Sequence, residues 1–423
     1  MPVATDWELQ FGPDAGLAQI AEAEFLDEKP TRAAVAVSGG SDSMAMLHVM
    51  AAVARHQGIA LYAVTVDHGL RAEAVAEAEV VAQACAGLGV AHQVLRWNHG
   101  AVAGNLMDAA RRARYGLMAD WATTQDISHI YLGHTADDQA ETFLMELARS
   151  AGIDGLVGMQ SGWRQGGVQF MRPLLAVQRA DLRGYLERQG VGWVEDPSNE
   201  NDRFLRVKTR QALKVLQPLG ITVGTLSHVM TNLAAARAAV LVAVGDAAVK
   251  LCFERAGEVE FDLTEWLLSA PEVRRRLLIA ALRWISGAGY VPRGSGVGRV
   301  LLAIERGCDA TFAGCRIRMS ARGFRVVREP KAVTGLVCAR GSLWDGRWCV
   351  DGPFAAGQEV RALGADGLRQ CKGWKTTGYS KDSLLVSPAV WYNGVLMAAP
   401  LAGFEAGFSA RIVAPFNEFV LSH

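Results

Sequence analysis

The chain has 423 residues, half of them apolar, and a formal net charge of zero. That length exceeds one typical core and predicts two or three domains, and the composition excludes a disordered or fibrous chain. The zero hides a division, because residues 1–200 hold 14 Lys+Arg against 25 Asp+Glu, a net of −11, and residues 201–423 hold 29 against 18, a net of +11. An acidic half followed by a basic half predicts a catalytic part and a part able to hold a polyanion; the plainer alternative is two surfaces of opposite sign that attract each other. The seven cysteines, at 85, 252, 308, 315, 338, 349 and 371, include no Cys-x-x-Cys pair, which is reduced usage rather than a disulfide or zinc framework. No basic start leads into an apolar run at the N-terminus, and the most apolar helical stretch, Ala238–Val244, falls far short of a membrane span. The expectation is a soluble, cytoplasmic protein with no membrane contact.

Along the first half, short apolar runs alternate with Ala-rich helical ones. Strands are predicted at Ala33–Val37, Leu61–Val66, Val90–Leu95 and His129–Leu132, with helices to about Gln57, over Ala72–Leu88, around Asn105–Thr124 and from about Thr135. The pattern predicts an α/β class, a doubly wound parallel sheet whose ligands bind beyond the carboxyl ends of the strands. Polar groups cluster at three such ends: Ser38-Gly39-Gly40-Ser41-Asp42-Ser43, Asp67-His68-Gly69-Leu70-Arg71, and Gly133-His134-Thr135-Ala136-Asp137-Asp138.

The first cluster joins a strand to a helix start, which is the architecture of an anion cradle. Two glycines let the backbone approach a ligand, the serines add hydroxyl donors, and unpaired N–H groups at the helix start favour phosphate. A carboxylate beside phosphates needs a divalent cation between them, so Asp42 is a candidate Mg²⁺ contact. The loop lacks the Gly-Lys-Ser/Thr ending of a Walker A motif, which argues against ordinary γ-phosphate transfer. Close packing of small residues is the alternative. In the third cluster His134, Asp137 and Glu141 recur at i, i+3 and i+7 along one edge of a helix start, where they could hold Mg²⁺ or take a proton from an amine. Acids in a first turn also complement the helix dipole, and Asp138 on another face suits that role.

Beyond residue 215 the pattern changes. Helices are predicted over Thr225–Ala256 and Thr264–Trp284, the second carrying Arg274-Arg275-Arg276. Ala310–Met319 and Gly323–Arg328 read as a hairpin with Arg316, Arg318, Arg325 and Arg328 on its strands, and arginine at alternate positions stands on one face able to meet a phosphate backbone. Residues 341–423 read as a last domain of short strands, with Trp344, Trp348, Trp374 and Trp391 as its core. The domains expected are therefore 1–215, a mainly helical 216–335, and a small α+β domain over 341–423.

Ser38–Ser43 resembles the PP-loop of the N-type ATP pyrophosphatases. Val66-Asp67-His68-Gly69-Leu70-Arg71, Asn105-Leu106-Met107-Asp108-Ala109-Ala110-Arg111-Arg112-Ala113-Arg114-Tyr115 and Gly133–Thr142 narrow the likeness, as do Gly155-Leu156-Val157-Gly158-Met159 and Arg172-Pro173-Leu174-Leu175. With Asp196-Pro197-Ser198-Asn199 and Arg203-Phe204-Leu205-Arg206, this ordered series resembles the bacterial tRNA(Ile)-lysidine synthetase family over roughly residues 30–215. The likeness implies ATP and Mg²⁺ as cofactors, and L-lysine and a CAU-anticodon tRNA(Ile) as partners. In that family the wobble cytidine is adenylated with release of pyrophosphate, and the lysine ε-amine then displaces AMP. It further implies that Ser38, Gly39, Gly40, Ser41, Asp42 and Ser43 bind ATP with Asp42 on the metal, and that Asp137 accepts the lysine proton with help from Glu141 or His134. Arg111 and Arg206 would meet phosphate or the activated base. Where acids are frequent after the Asn of the second motif, only Asp108 is present, and Val207-Lys208-Thr209-Arg210 departs from the usual Asn and Ile. Two other readings are another PP-loop enzyme such as a tRNA thiolase, which the missing Cys-x-x-Cys pair opposes, and a non-catalytic RNA-binding module. No stable protein partner is implied, and a homodimer stays open.

Overall fold

The computed structural model describes residues 6–26, 29–69, 74–98, 106–195, 205–288 and 294–422, so Leu70, Arg71, Asn105, the segment 196–199, Arg203 and Phe204 lie outside the described residues. The chain folds as two compact units, Met1–Ala235 and Ala236–His423.

The first unit is built on six strands, β1 (Arg32–Ala36), β2 (Ala60–Asp67), β3 (Ala91–Arg96), β4 (His129–Leu132), β5 (Gly162–Gln165) and β6 (Val168–Met171), in the spatial order β3-β2-β1-β4-β6-β5. The four strands read from the sequence are present within one or two residues. β1 runs parallel to both neighbours, with Ala36 opposite Val64 on β2 and opposite Leu132 on β4. Since the chain leaves β1 toward β2 and β3 on one side and returns to β4 on the other, β1 and β4 flank the point where strand order reverses, the place at which such sheets bind ligands. Alternation along β1 feeds two cores. Ala33, Val35 and Val37 pack with Met44 and Leu47 of the helix Ser41–Gln57 and with Leu182 and Tyr185 of the helix Arg179–Arg188. Ala34 packs instead with Val64, Tyr115, Met118 and Ile130. Each large apolar side chain so buried contributes about 1.5–3 kcal/mol, which fixes the loop ends beyond the strands.

The hairpin β5–β6 escapes a search for parallel strands. Its signal is Gly166-Gly167, both at positive φ (58° and 81°), a two-residue turn leading into the alternating arm Val168–Met171.

In the second unit five strands, β7 (Cys252–Arg255), β8 (Glu258–Asp262), β9 (Ala310–Phe312), β10 (Cys315–Met319) and β11 (Gly323–Arg328), pair in the order β7-β8-β11-β10-β9. The helix read to residue 256 spans Val223–Leu251 and gives way to β7, which turns at Ala256-Gly257 (φ 48° and 80°) into β8. The helix read over 264–284 is two, Leu263–Leu268 and Pro271–Ser286, because proline starts a helix but cannot continue one. At 29 residues, Val223–Leu251 is long and apolar enough to cross a membrane. Leu226 and Met230 are nevertheless buried in a core of the first unit, and Val244, Ala248 and Leu251 in one of the second.

The arginine hairpin forms, with Arg318 opposite Arg325, although the strand read over Ala310–Met319 turns at Ala313-Gly314 (φ 52° and 71°) into the two strands β9 and β10, and its guanidiniums are answered from within the unit. Arg318 lies 2.6 Å from Asp309 and 3.2 Å from Asp382, Arg316 lies 3.7 Å from Asp382, and Arg325 lies 3.7 Å from Glu258. Arg328 turns away to pair with Asp345 at 2.9 Å. The face that alternation makes positive is thus largely neutralised by carboxylates distant in sequence. Trp344, Trp348 and Trp391 are buried, as core residues should be, whereas Trp374 is half-buried at the edge of a core.

Candidate active site

A cavity of about 680 Å³ opens between the carboxyl ends of β1, β2 and β4, lined among others by Ser38, Gly40, Ser41, Asp42 and Ser43 after β1, Asp67 and His68 at the end of β2, and Gly133, His134 and Asp138 after β4. The three polar strand ends therefore make one site. Gly39 takes φ 86°, which a side chain rarely adopts, and its carbonyl accepts the Val194 N–H at 2.9 Å, so the segment ending at Glu195 holds the loop from outside. The Ser43 hydroxyl is spent on the loop itself: it accepts the Ser38 N–H at 3.1 Å and donates to the Gly40 carbonyl at 3.0 Å. Behind it, a Cβ on Gly133 would stand 3.1 Å from Ser43 N and Cα, against backbone that cannot yield without moving the helix start. Gly133→Ala is accordingly expected to cost about 1–3 kcal/mol of stability and to weaken ATP binding about tenfold, measured by thermal melting and calorimetry; unchanged ATP affinity would show the loop to be more compliant than this contact implies.

Asp42 occupies the first turn of the helix Ser41–Gln57, where its Oδ2 accepts from Arg179 Nε at 2.8 Å and its Oδ1 from the Ser41 hydroxyl at 3.1 Å. Burial raises its pKa, and Arg179 opposes that rise. Thr135 caps the helix Ala136–Ala148, and its backbone N–H and hydroxyl both donate to Asp138 Oδ2, at 3.0 and 3.1 Å. Asp138 thus serves the helix start and lines the cavity at once. Burial acts against its charge, but Arg179 and the Thr135 N–H outweigh it and hold the carboxyl below its ordinary range.

The remaining expected residues lie around this centre rather than all within it. Asp137 is half-buried and accepts the Arg179 backbone N–H at 2.7 Å, so it ties the helix start to Arg179 without lining the cavity. Glu141 is buried, its Oε1 2.5 Å from Arg210 Nε and 3.8 Å from Arg179, and burial raises its pKa against the pull of Arg210. Arg206 reaches to 4.0 Å from Asp138. Arg111 is exposed and belongs to a neighbouring recess of about 370 Å³ with Tyr115, Gln160, Trp163 and Arg172. Asp108 pairs with Arg112 on an exposed helix face.

His134 lines the cavity, and its Nδ1 accepts from Arg172 Nε at 3.2 Å. Burial, abetted by Arg172 and Arg114, pushes its pKa down to about 3. Burial thus favours the uncharged ring, whose Nδ1 serves as a hydrogen-bond acceptor. The unfolded chain binds a proton at His134 below about 6.5 and the folded chain only near 3, so this group's contribution to stability is full above 6.5 and is lost as pH falls toward 3. His134→Asn is expected to reduce that acid loss by on the order of 2–4 kcal/mol, read from urea melts at pH 7 and pH 4; parallel pH curves for the two proteins would place the loss elsewhere.

Two residues that carry this site, Arg172 and Arg179, received no role from sequence. Arg172 lies within a motif and Arg179 seven residues on, at a helix start, and only the fold brings Arg179 to Asp42. Arg172 also donates to the Gln160 carbonyl at 2.6 Å and covers the Trp163 ring at 4.3 Å.

A family profile described as a PP-loop domain matches residues 15–216. Over 404 residues the chain is 44% identical to a tRNA(Ile)-lysidine synthase of Ruegeria pomeroyi, covering 95% of this chain and 96% of that one. It is 37% identical to a protein of the same name from Hyphomonas neptunium, over 71% of this chain and 82% of that one. Among solved structures, a U34-tRNA thiolase from Methanococcus maripaludis is similar at 14% identity and a TM-score of 0.45, over 52% of this chain and 77% of that chain. The last likeness is too distant to bear on activity.

Proposed function

The chain belongs to the tRNA(Ile)-lysidine synthase family of PP-loop enzymes, and from that premise we propose that it ligates L-lysine to carbon 2 of the wobble cytidine in a CAU-anticodon tRNA(Ile), changing its codon from AUG to AUA. The observation that carries the reading is the single cavity at the strand-order reversal, into which the phosphate cradle Ser38–Ser43 and the acidic helix start at Asp138 both open. In the first step the cytidine oxygen on carbon 2 bonds to the α-phosphorus of ATP and pyrophosphate departs. In the second, the lysine ε-amine bonds to carbon 2, the carbon–oxygen bond breaks, and AMP leaves with that oxygen.

The cradle's N–H groups receive the departing pyrophosphate, whose charge grows as the bond breaks. Mg²⁺ would add neutralisation of the phosphates. The donor set suits that ion, because Asp42 supplies a carboxylate beside the cradle. Lysine, whose ammonium ordinarily titrates near 10.4, must lose a proton to attack, and Asp137 is the group assigned to receive it. Arg111 and Arg206 are assigned to tRNA phosphate or the activated base. The +11 half is assigned to tRNA, with cytoplasmic location following from that substrate. A division into 216–335 and 341–423 portions stays a proposal from sequence, since the core around Phe261 and Leu278 also takes in Phe416 and Val420, and the core around Trp344 and Val390 takes in Val327 and Val333.

The thiolase alternative has little to stand on, because no cysteine is among the cavity-lining residues. The test is ATP-dependent incorporation of labelled lysine into a CAU tRNA(Ile) transcript, with pyrophosphate and AMP produced. A folded, tRNA-binding preparation that incorporates none refutes the reading.

A further inference from the structure

One guanidinium answers three carboxylates at the heart of the cavity. Arg179 Nε donates to Asp42 Oδ2 at 2.8 Å, and its terminal nitrogens lie 3.5 Å from Asp138 Oδ1 and 3.8 Å from Glu141 Oε1. Its main chain is fixed to the same place, since Asp137 accepts its N–H at 2.7 Å. Asp42 and Asp138 come from two different helix starts and repel each other, and the Arg179 guanidinium lies between them. The other two arginines of the cluster share two of these acids but do not pair with Asp42: Arg210 lies 2.5 Å from Glu141, and Arg206 4.0 Å from Asp138. Among the ion pairs of the described residues, Arg179 is the one that reaches Asp42.

A divalent cation accompanying a triphosphate needs that same carboxylate. An ion and a guanidinium cannot both sit against Asp42 without strong mutual repulsion, which the low dielectric of a half-buried site magnifies. Arg179 has somewhere to go, because Asp138 and Glu141 are already within 4 Å of it. We infer that Arg179 is an internal stand-in for the cation: a positioning residue that keeps Asp42 aimed into the cavity while no nucleotide is bound, then yields it and stays on Asp138 and Glu141. The inference rests on the reading of Asp42 as the metal contact.

The experiment titrates Mn²⁺, followed by its paramagnetic resonance signal, into nucleotide-free protein. Removing the competing charge in Arg179→Gln is expected to tighten Mn²⁺ binding at least about tenfold, whereas Arg179→Lys, which keeps the charge, stays within about threefold of the wild type. Arg179→Met, closer in length and volume, replaces Gln if that variant does not hold its fold. Mn²⁺ affinity unchanged or weakened in Arg179→Gln overturns the stand-in role, as does an equal gain in Arg179→Lys. The double variant Asp42→Asn/Arg179→Gln is expected to lose the gain. A gain that survives Asp42→Asn instead overturns Asp42 as the metal contact, so the two failures are told apart.

Discussion

Asp42→Ala is expected to lower adenylation of CAU tRNA(Ile) by about a thousandfold or more while leaving the fold as stable as before. The carboxylate stands in the first turn of the helix that follows the cradle, on the cavity wall. Without it the departing pyrophosphate keeps the backbone donors of the loop but loses the group that would seat a cation against its charge. Stability behaves differently. Burial lifts the pKa of Asp42 above its unfolded value, so its contribution to stability is present below the unfolded pKa and lost as pH rises through the folded one. At neutral pH the ionised group is therefore a burden on the fold, one that Arg179 only partly relieves. The variant should melt within about 1 kcal/mol of the wild type, and Arg179 retains Asp138 and Glu141 as partners. Single-turnover release of pyrophosphate from labelled ATP measures the loss. Adenylation within about tenfold of the wild type would remove Asp42 from the phosphate chemistry, and a large drop in melting temperature would mark it as structural.

What the sequence made legible follows the range of its physical signals. Ala33–Val37 announced a strand because it is a short continuous apolar run that stops at a Gly/Ser turn, and Ser38–Ser43 announced a cradle because glycine and serine between a strand and a helix are locally sufficient for one. The parallel sheet then placed Asp42 and His134 in one cavity without any further information. Arg179 was invisible for the opposite reason: 137 residues separate it from Asp42, and nothing local distinguishes it from the other arginines on its helix. Asp138 was legible as a helix-start acid, but its second service, facing the cavity, depends on which way the capped first turn points. The arginine hairpin shows the same limit. Alternation predicted that Arg316, Arg318 and Arg325 share a face, and it could not predict that Asp382, more than fifty residues on, would be there to meet them.

Asp137→Asn is expected to leave ATP binding and adenylation within about tenfold of the wild type and to slow lysine transfer by about a hundredfold. The substitution keeps a carbonyl oxygen to accept the Arg179 N–H, so it removes charge and basicity with little disturbance of the helix start. The proposed assignment rests on a comparison with its neighbours. His134 binds a proton only near pH 3. Asp138 has Oδ2 committed to the Thr135 N–H and hydroxyl and Oδ1 facing Arg179, and its carboxyl is held below the ordinary range, which makes it a poor acceptor. Glu141 is 1% exposed and held by Arg210, out of reach of a free amino acid. Asp137 is half-buried, one oxygen engaged by a backbone N–H, at the edge of the same helix start. For it to serve, lysine must approach from beside Arg179 rather than through the cavity floor. Transfer measured from preformed adenylated tRNA separates the second step from the first. Wild-type lysine use by Asp137→Asn would move the ammonium seat across the cavity to the carboxylates at Asp67 and Glu77, which line its opposite wall.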